Sequence, residues 1–208
     1  MAINNLYALL GLMAAGAIGG GVYFAYPSSS DPKPVATIRG KLTKEKYVIL
    51  QEGDGQHWQA VLDKYNSSEY KGKRFTTKEG TTSLEDLKRD CSTTLSKEEG
   101  DSSYEKAKLW CTVPRTIQER LKDLGIEVLK TEGDDENTGD KSKWVTLESE
   151  YRTKGNNDIK DFQVDSTSGD TSWQKLRNKC KEHIGKDRWS DEYDYYLDKV
   201  AKWCSNKK

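Results

Sequence analysis

Lys108-Leu109-Trp110-Cys111 returns near the far end of the chain as Ala201-Lys202-Trp203-Cys204, and that return decides the architecture. Upstream of it the same landmarks recur in the same order. Thr82-Ser83-Leu84-Glu85, with Leu87 and Cys91 behind it, returns as Thr171-Ser172-Trp173-Gln174 with Leu176 and Cys180. Phe75 answers Phe162, and Tyr65 answers Tyr151. Gly53-Asp54-Gly55-Gln56-His57-Trp58 returns as Gly139-Asp140-Lys141-Ser142-Lys143-Trp144. Thr37 to Leu42 returns as Thr116 to Leu121, each followed by a strand-like run, Tyr47 to Leu50 and Ile126 to Leu129. Self-similarity in a kept order marks a repeated supersecondary unit. Copy one is placed at 35–111 and copy two at 116–204, joined by Thr112-Val113-Pro114-Arg115 and followed by a tail at 205–208.

Within each copy the apolar spacing is mostly helical. Trp58, Val61, Leu62 and Tyr65 share one face behind Asp54, the expected N-cap. Leu84, Leu87, Cys91 and Leu95 form a second stripe, repeated by Trp173, Leu176, Cys180 and Ile184. Thr82 with Glu85, and Thr171 with Gln174, match the capping-box pattern at the start of those helices. The last helix carries Tyr104, Ala107 and Cys111 in copy one, and Tyr193, Tyr196, Leu197, Val200 and Cys204 in copy two. The repeated Trp58, Trp110, Trp144 and Trp203 are expected in the core rather than on a stacking platform. If the two cysteine-bearing helices form a hairpin turning near Gly100, Cys91 and Cys111 lie at matching heights. Cys204 stands further from its turn than Cys180 does, so the match in copy two is looser. In an oxidising compartment the four cysteines pair within copies; in a reducing one they are buried thiols.

Toward the N-terminus, Leu6 to Tyr26 holds no charged residue or histidine, and the first charged side chain is Asp31. As a helix this run is about 30 Å long, the thickness of a bilayer's hydrocarbon core. Tyr7, Tyr23 and Tyr26 suit its two interfaces. Residues 1–26 are therefore expected to be an uncleaved transmembrane anchor, with 27–34 as a Pro/Ser linker. The expected fold is mainly α with minor β: an N-terminal transmembrane helix followed by two tandem small helical modules. Gly16 and Gly20 make a GxxxG spacing, read either as a face for homodimerisation or as glycine common to apolar spans. Lys33, Arg39, Lys41, Lys44 and Lys46 after the span favour a cytoplasmic tail by the positive-inside rule. The cysteine pairs and the signal-like placement favour an exported one, which is the orientation adopted.

The chain has 208 residues, 33% of them charged, with 34 basic and 34 acidic side chains. That balance gives no basic field for nucleic acid. A mean hydropathy of −0.92 leaves little apolar area per module, so a covalent staple is expected. His57 and His183 occupy non-equivalent positions and are expected at the surface or at a cap, with no nucleophile in a recognised spacing. Cys180-Lys181-Glu182-His183 has a two-ligand zinc spacing with no counterpart in copy one. Glu132 to Asp140 resembles a calcium loop, but Val145 falls where the closing carboxylate belongs, so a solvated loop is preferred. No phosphate-binding glycine loop is present, and Asn66-Ser67-Ser68 is a sequon that matters only in a eukaryotic secretory route. No catalytic residue, metal ligand or cofactor is assigned.

The uncharged span, the module end Tyr-x-x-Ala-x-x-Trp-Cys at Tyr104 to Cys111, and the following Val113-Pro114-Arg115-Thr116-Ile117 resemble the large paralogous families of uncharacterised membrane-anchored proteins of haemotropic mycoplasmas. Copy two departs from the pattern with Leu197 in the tyrosine's place. The resemblance implies a wall-less bacterium whose tails face the host, and it carries over no catalytic residue. The expected protein is single-pass, in the cell membrane with its C-terminal part outside, meeting the bilayer through its N-terminal helix and a host surface or serum protein through its tail. A cell-envelope enzyme or accessory factor, or a cytoplasm-facing scaffold, is the alternative.

Overall fold

A computed structural model describes residues 35–76, 80–133, 140–165 and 171–206. The anchor at 1–26 with its Gly16/Gly20 face, the linker at 27–34 and most of the acidic loop lie outside the described residues. Among those described, no helix is long and apolar enough to cross a membrane. The fold is mainly helical, with α1 (Ile38–Lys44), α2 (Gly55–Asn66), α3 (Leu84–Leu95) and α4 (Tyr104–Trp110) in copy one. Copy two repeats them as α5 (Ile117–Asp123), α6 (Lys141–Glu150), α7 (Ser172–Ile184) and α8 (Tyr193–Trp203).

The small helices α1 and α5 are fixed at both ends by local chemistry. Thr37 and Thr116 accept from the amides of Gly40 and Glu119 at 3.2 and 3.3 Å, and the Glu119 carboxylate returns to the Thr116 amide at 2.8 Å. This capping box, at Thr116, is one that sequence spacing passed over. Both helices stop on a left-handed residue, Lys46 at φ 61° and Gly125 at φ 79°. The amides beyond, of Tyr47 and Ile126, then reach back to the carbonyls of Leu42 and Leu121 at 2.9 and 2.8 Å, the closure of a Schellman turn.

Elsewhere the caps differ from expectation. Asp54 and Asp140 precede α2 and α6 but do not cap them; their carboxylates accept from the amides of Gln51 and Lys130 at 2.8 and 2.9 Å. Trp58 and Trp144 donate to the carbonyls of those same two residues, so each turn is clamped from both sides. At α3 the cap is Ser83, which accepts from the Asp86 amide at 3.1 Å, rather than Thr82 with Glu85. Asn66 bonds both the amide and the carbonyl of Thr82, which holds that residue extended and moves the cap one position on. Thr171 stands at the N-cap of α7 with no side-chain bond.

Helices α3 and α4 form the first hairpin and α7 and α8 the second. Cys91 is bonded to Cys111 and Cys180 to Cys204, with Cα atoms 5.4 and 5.7 Å apart. Loops of this size contribute about 3 kcal/mol each by restricting the unfolded chain. The strand-like runs do not make a sheet. They form single antiparallel bridges, Ile49 with Thr112 and Val128 with Ser205, each beside the terminal half-cystine. A second set of bridges, Thr37 with Glu98 and Thr116 with Asp187, pins the start of each copy to its hairpin turn. Thr112 and Val113, in the stretch read as a linker, are buried.

Each copy has its own core. Trp58, Trp110, Trp144 and Trp203 are all buried, as expected, and so are Trp173 and Trp189. Tyr65 meets Trp110 edge-on at 4.9 Å, and Tyr151 meets Trp203 edge-on at 5.0 Å. The cores differ on the outer side of the terminal tryptophan. In copy two the backbone of Gly155 lies against the Trp203 ring, where an added Cβ would stand 2.2 Å from the nearest ring carbon. Gly155→Ala should therefore destabilise the protein by about 2 kcal/mol through overpacking, read by denaturant unfolding. Gly72→Ala, with nothing within 4 Å of the new atom, should cost far less, and equal losses would show that the close approach is not the cause.

Candidate functional site

The two cysteines of copy two are 24 residues apart in sequence, against 20 in copy one. Both copies keep the bridge at the hairpin turn, so the four extra residues lie between Asp187 and Cys204. They lengthen α8 by a turn, while the turn before it keeps the length and hydrogen bonds of its counterpart in copy one and carries Arg188-Trp189, the latter entering the core of copy one. Trp189 stacks on Trp110 at 5.3 Å and meets Tyr70 edge-on at 5.9 Å. The Tyr70 hydroxyl donates to the Trp189 carbonyl at 2.6 Å.

Arg188 covers the open end of α4. One terminal nitrogen donates to the Thr112 hydroxyl at 2.6 Å and the Val113 carbonyl at 3.2 Å. The other donates to the carbonyls of Lys108, Leu109 and Thr112 at 3.2, 2.7 and 2.8 Å. Arg120 of α5 does the same for α1, donating to the carbonyls of Lys46 and Glu45 at 2.6 and 2.7 Å with its guanidinium 3.7 Å over the Tyr47 ring. Two cations of copy two thus sit on two helix C-termini of copy one, where the backbone dipole is negative.

Between these contacts a cleft of about 580 Å³ opens along the joint, within the range of small-molecule sites. Its apolar lining includes Tyr47, Leu109, Val113, Trp189 and Tyr193, and Arg120 and Arg188 also border it. Neither guanidinium pairs with a carboxylate among the described residues, and the Nε of each is buried without a partner. Burial pulls Arg188 down to about 10, which leaves it charged at neutral pH. Burial pushes the Tyr193 phenol above its ordinary value, so it stays a neutral donor. The lining also carries Ser190 and five carboxylates, Glu105, Asp123, Asp191, Glu192 and Asp194, and no histidine or cysteine among the described residues.

The other sequence candidates fall elsewhere. His57 is exposed, whereas His183, expected at the surface or a cap, is 3% exposed and stacked on Tyr196 at 3.7 Å. It lies three residues beyond Cys180 on the buried stripe of α7, a position its helical spacing could have disclosed. Cys180 is consumed by its disulfide, which removes the thiolate from the Cys-x-x-His pair. Among the described residues no group of three or more His, Cys, Asp or Glu is placed to hold a metal ion. Compared with protein-family models, curated proteins and solved structures, the chain matches none.

Two outcomes follow. Trp189→Ala should cost about 3 kcal/mol, as core tryptophans do, and should lower hydrogen-exchange protection in α2 and α4 although the change lies in copy two. Loss confined to α7 and α8 would refute the shared core. Burial also lowers the His183 imidazole from 6.5 to about 4. Between those values the unfolded chain binds a proton that the folded one refuses, so stability is full above 6.5 and falls with acid by up to about 1.4 kcal/mol per pH unit. His183→Leu should flatten denaturant-measured stability across that window. Asp158, held below the carboxylate range by Lys199, Lys202 and Trp203, loses its contribution only at lower pH.

Proposed function

We propose that this chain is a single-pass membrane-anchored surface protein whose duplicated, disulfide-stapled tail faces outward and serves an interaction or antigenic role toward host components. The observation that carries the proposal is the pair of buried disulfides, one closed within each copy, with no cysteine left unpaired among the described residues. Such bonds persist in oxidising surroundings and are rare in the cytosol. The uncharged run at Leu6–Tyr26 supplies the anchor that keeps such a tail at the cell surface. The cleft's chemistry supports binding over catalysis, because four of its five carboxylates are held in ion pairs and its serine, Ser190, has no histidine beside it in the lining. The anchor's Gly16/Gly20 face is where a homodimer would form.

Thiol labelling of intact, non-reduced cells followed by mass measurement tests the orientation. The expected result is four oxidised cysteines paired within copies, together with removal of the tail by protease added outside. Four free thiols and a protected tail would reverse it and make the protein a cytoplasm-facing scaffold.

A further inference from the structure

We propose that the cleft between the copies is a binding site for a small organic anion, a carboxylate or phosphate carried on a flat apolar body. The charge count leads there. Arg120 and Arg188 bring two full positive charges to the cleft, and each is opposed only by a helix C-terminus, equivalent to roughly half a negative charge. About one positive charge remains in a low-dielectric recess, where an uncompensated cation is costly and a matched anion is stabilised.

The acidic side chains at the rim do not supply that match, because most already have partners. Asp123 pairs with Arg115 at 3.0 Å, Glu105 and Asp194 pair with Lys108 at 3.2 and 3.6 Å, and Glu192 pairs with Lys160 at 2.8 Å. The one negative charge left over at Lys108 and that of Asp191 are matched by Lys73 and Lys106, neither of which is in an ion pair among the described residues, so the excess at the arginines stands. The hydroxyls of Tyr47 and Tyr193 line the same space and make no hydrogen bond to a described residue, so both are available as donors. Leu109 and Val113, beside the tip that carries Trp189, supply an apolar surface for the body of the ligand. A headgroup at the Arg120 guanidinium and the phenols, with Arg188 acting through its charge and the apolar body lying along Leu109 and Val113, uses the recess. The inference concerns only the folded tail and holds whichever side of the membrane it faces.

The test is fluorine NMR of 4-(trifluoromethyl)phenyl phosphate and 4-(trifluoromethyl)benzoate with the full chain in nanodiscs, against empty nanodiscs and neutral 4-(trifluoromethyl)benzyl alcohol. Saturable binding of at least one anion is expected, at least tenfold tighter than the alcohol. Which anion binds better distinguishes a phosphate ligand from a carboxylate one. Tyr193→Phe, which removes one oxygen and keeps the ring, should weaken the anion three- to tenfold and leave the alcohol unchanged. Arg120→Gln should abolish the anion's advantage, and where that variant unfolds by circular dichroism the Lys73→Gln/Lys106→Gln pair replaces it with an expected loss of threefold or more. Equal binding of anion and alcohol, absence of saturable anion binding, or anion binding indifferent to Tyr193→Phe would overturn the proposal.

Discussion

Each copy depends on one covalent constraint, the half-cystine that follows its terminal tryptophan. That cysteine ends the last helix and bonds to the preceding helix of the hairpin, while its carbonyl accepts the amide of Leu50 in copy one and Leu129 in copy two. One residue therefore joins three segments, and the tryptophan before it is held in a fixed place in the core. A module with so little apolar area gains most from a staple that also sets its core geometry. Around that point the local caps need only shape short helices, and those helices are too short to persist without the packing.

Both copies share this arrangement, and a difference between them joins the two. The four further residues between the cysteines of copy two lie within α8, and the turn before it, equal in length to that of copy one, carries Arg188-Trp189 where copy one has Glu99-Gly100. The ring completes the neighbour's core, and the guanidinium covers the neighbour's helix end. Arg120 repeats the second device at the end of α1. Both arginines satisfy backbone carbonyls that would otherwise lack partners in the joint, and both carry their charge into the cleft.

The repeated landmarks were legible because periodic apolar positions and cysteines leave a signal that survives substitution. The helix pairs, the core tryptophans and the partners of all four cysteines follow from that signal. Local polar chemistry was less legible. Asp54, Thr82 and Thr171 each have the residue type of a cap, but a neighbouring turn or Asn66 competes for two of them, and competition among nearby amides cannot be ranked from spacing. The joint was least legible, since Arg188 and Trp189 stand where copy one has Glu99 and Gly100, so no repeated residue type marks them.

The joint is also directional. Copy two supplies the inserted tryptophan and copy one receives it, so the contact is head to tail rather than reciprocal. Head-to-tail contacts propagate when each unit carries both halves, and here neither does. Copy one has Glu99-Gly100 at the positions of Arg188-Trp189 and so has no ring to insert. In copy two the place that would receive a tip is filled: Gly155 lies flat on the Trp203 ring, and Asp158 binds the indole nitrogen at 2.7 Å while pairing with Lys199 and Lys202. Each copy has lost the half that would extend the array through this contact, and what remains is a closed pair with one asymmetric cleft.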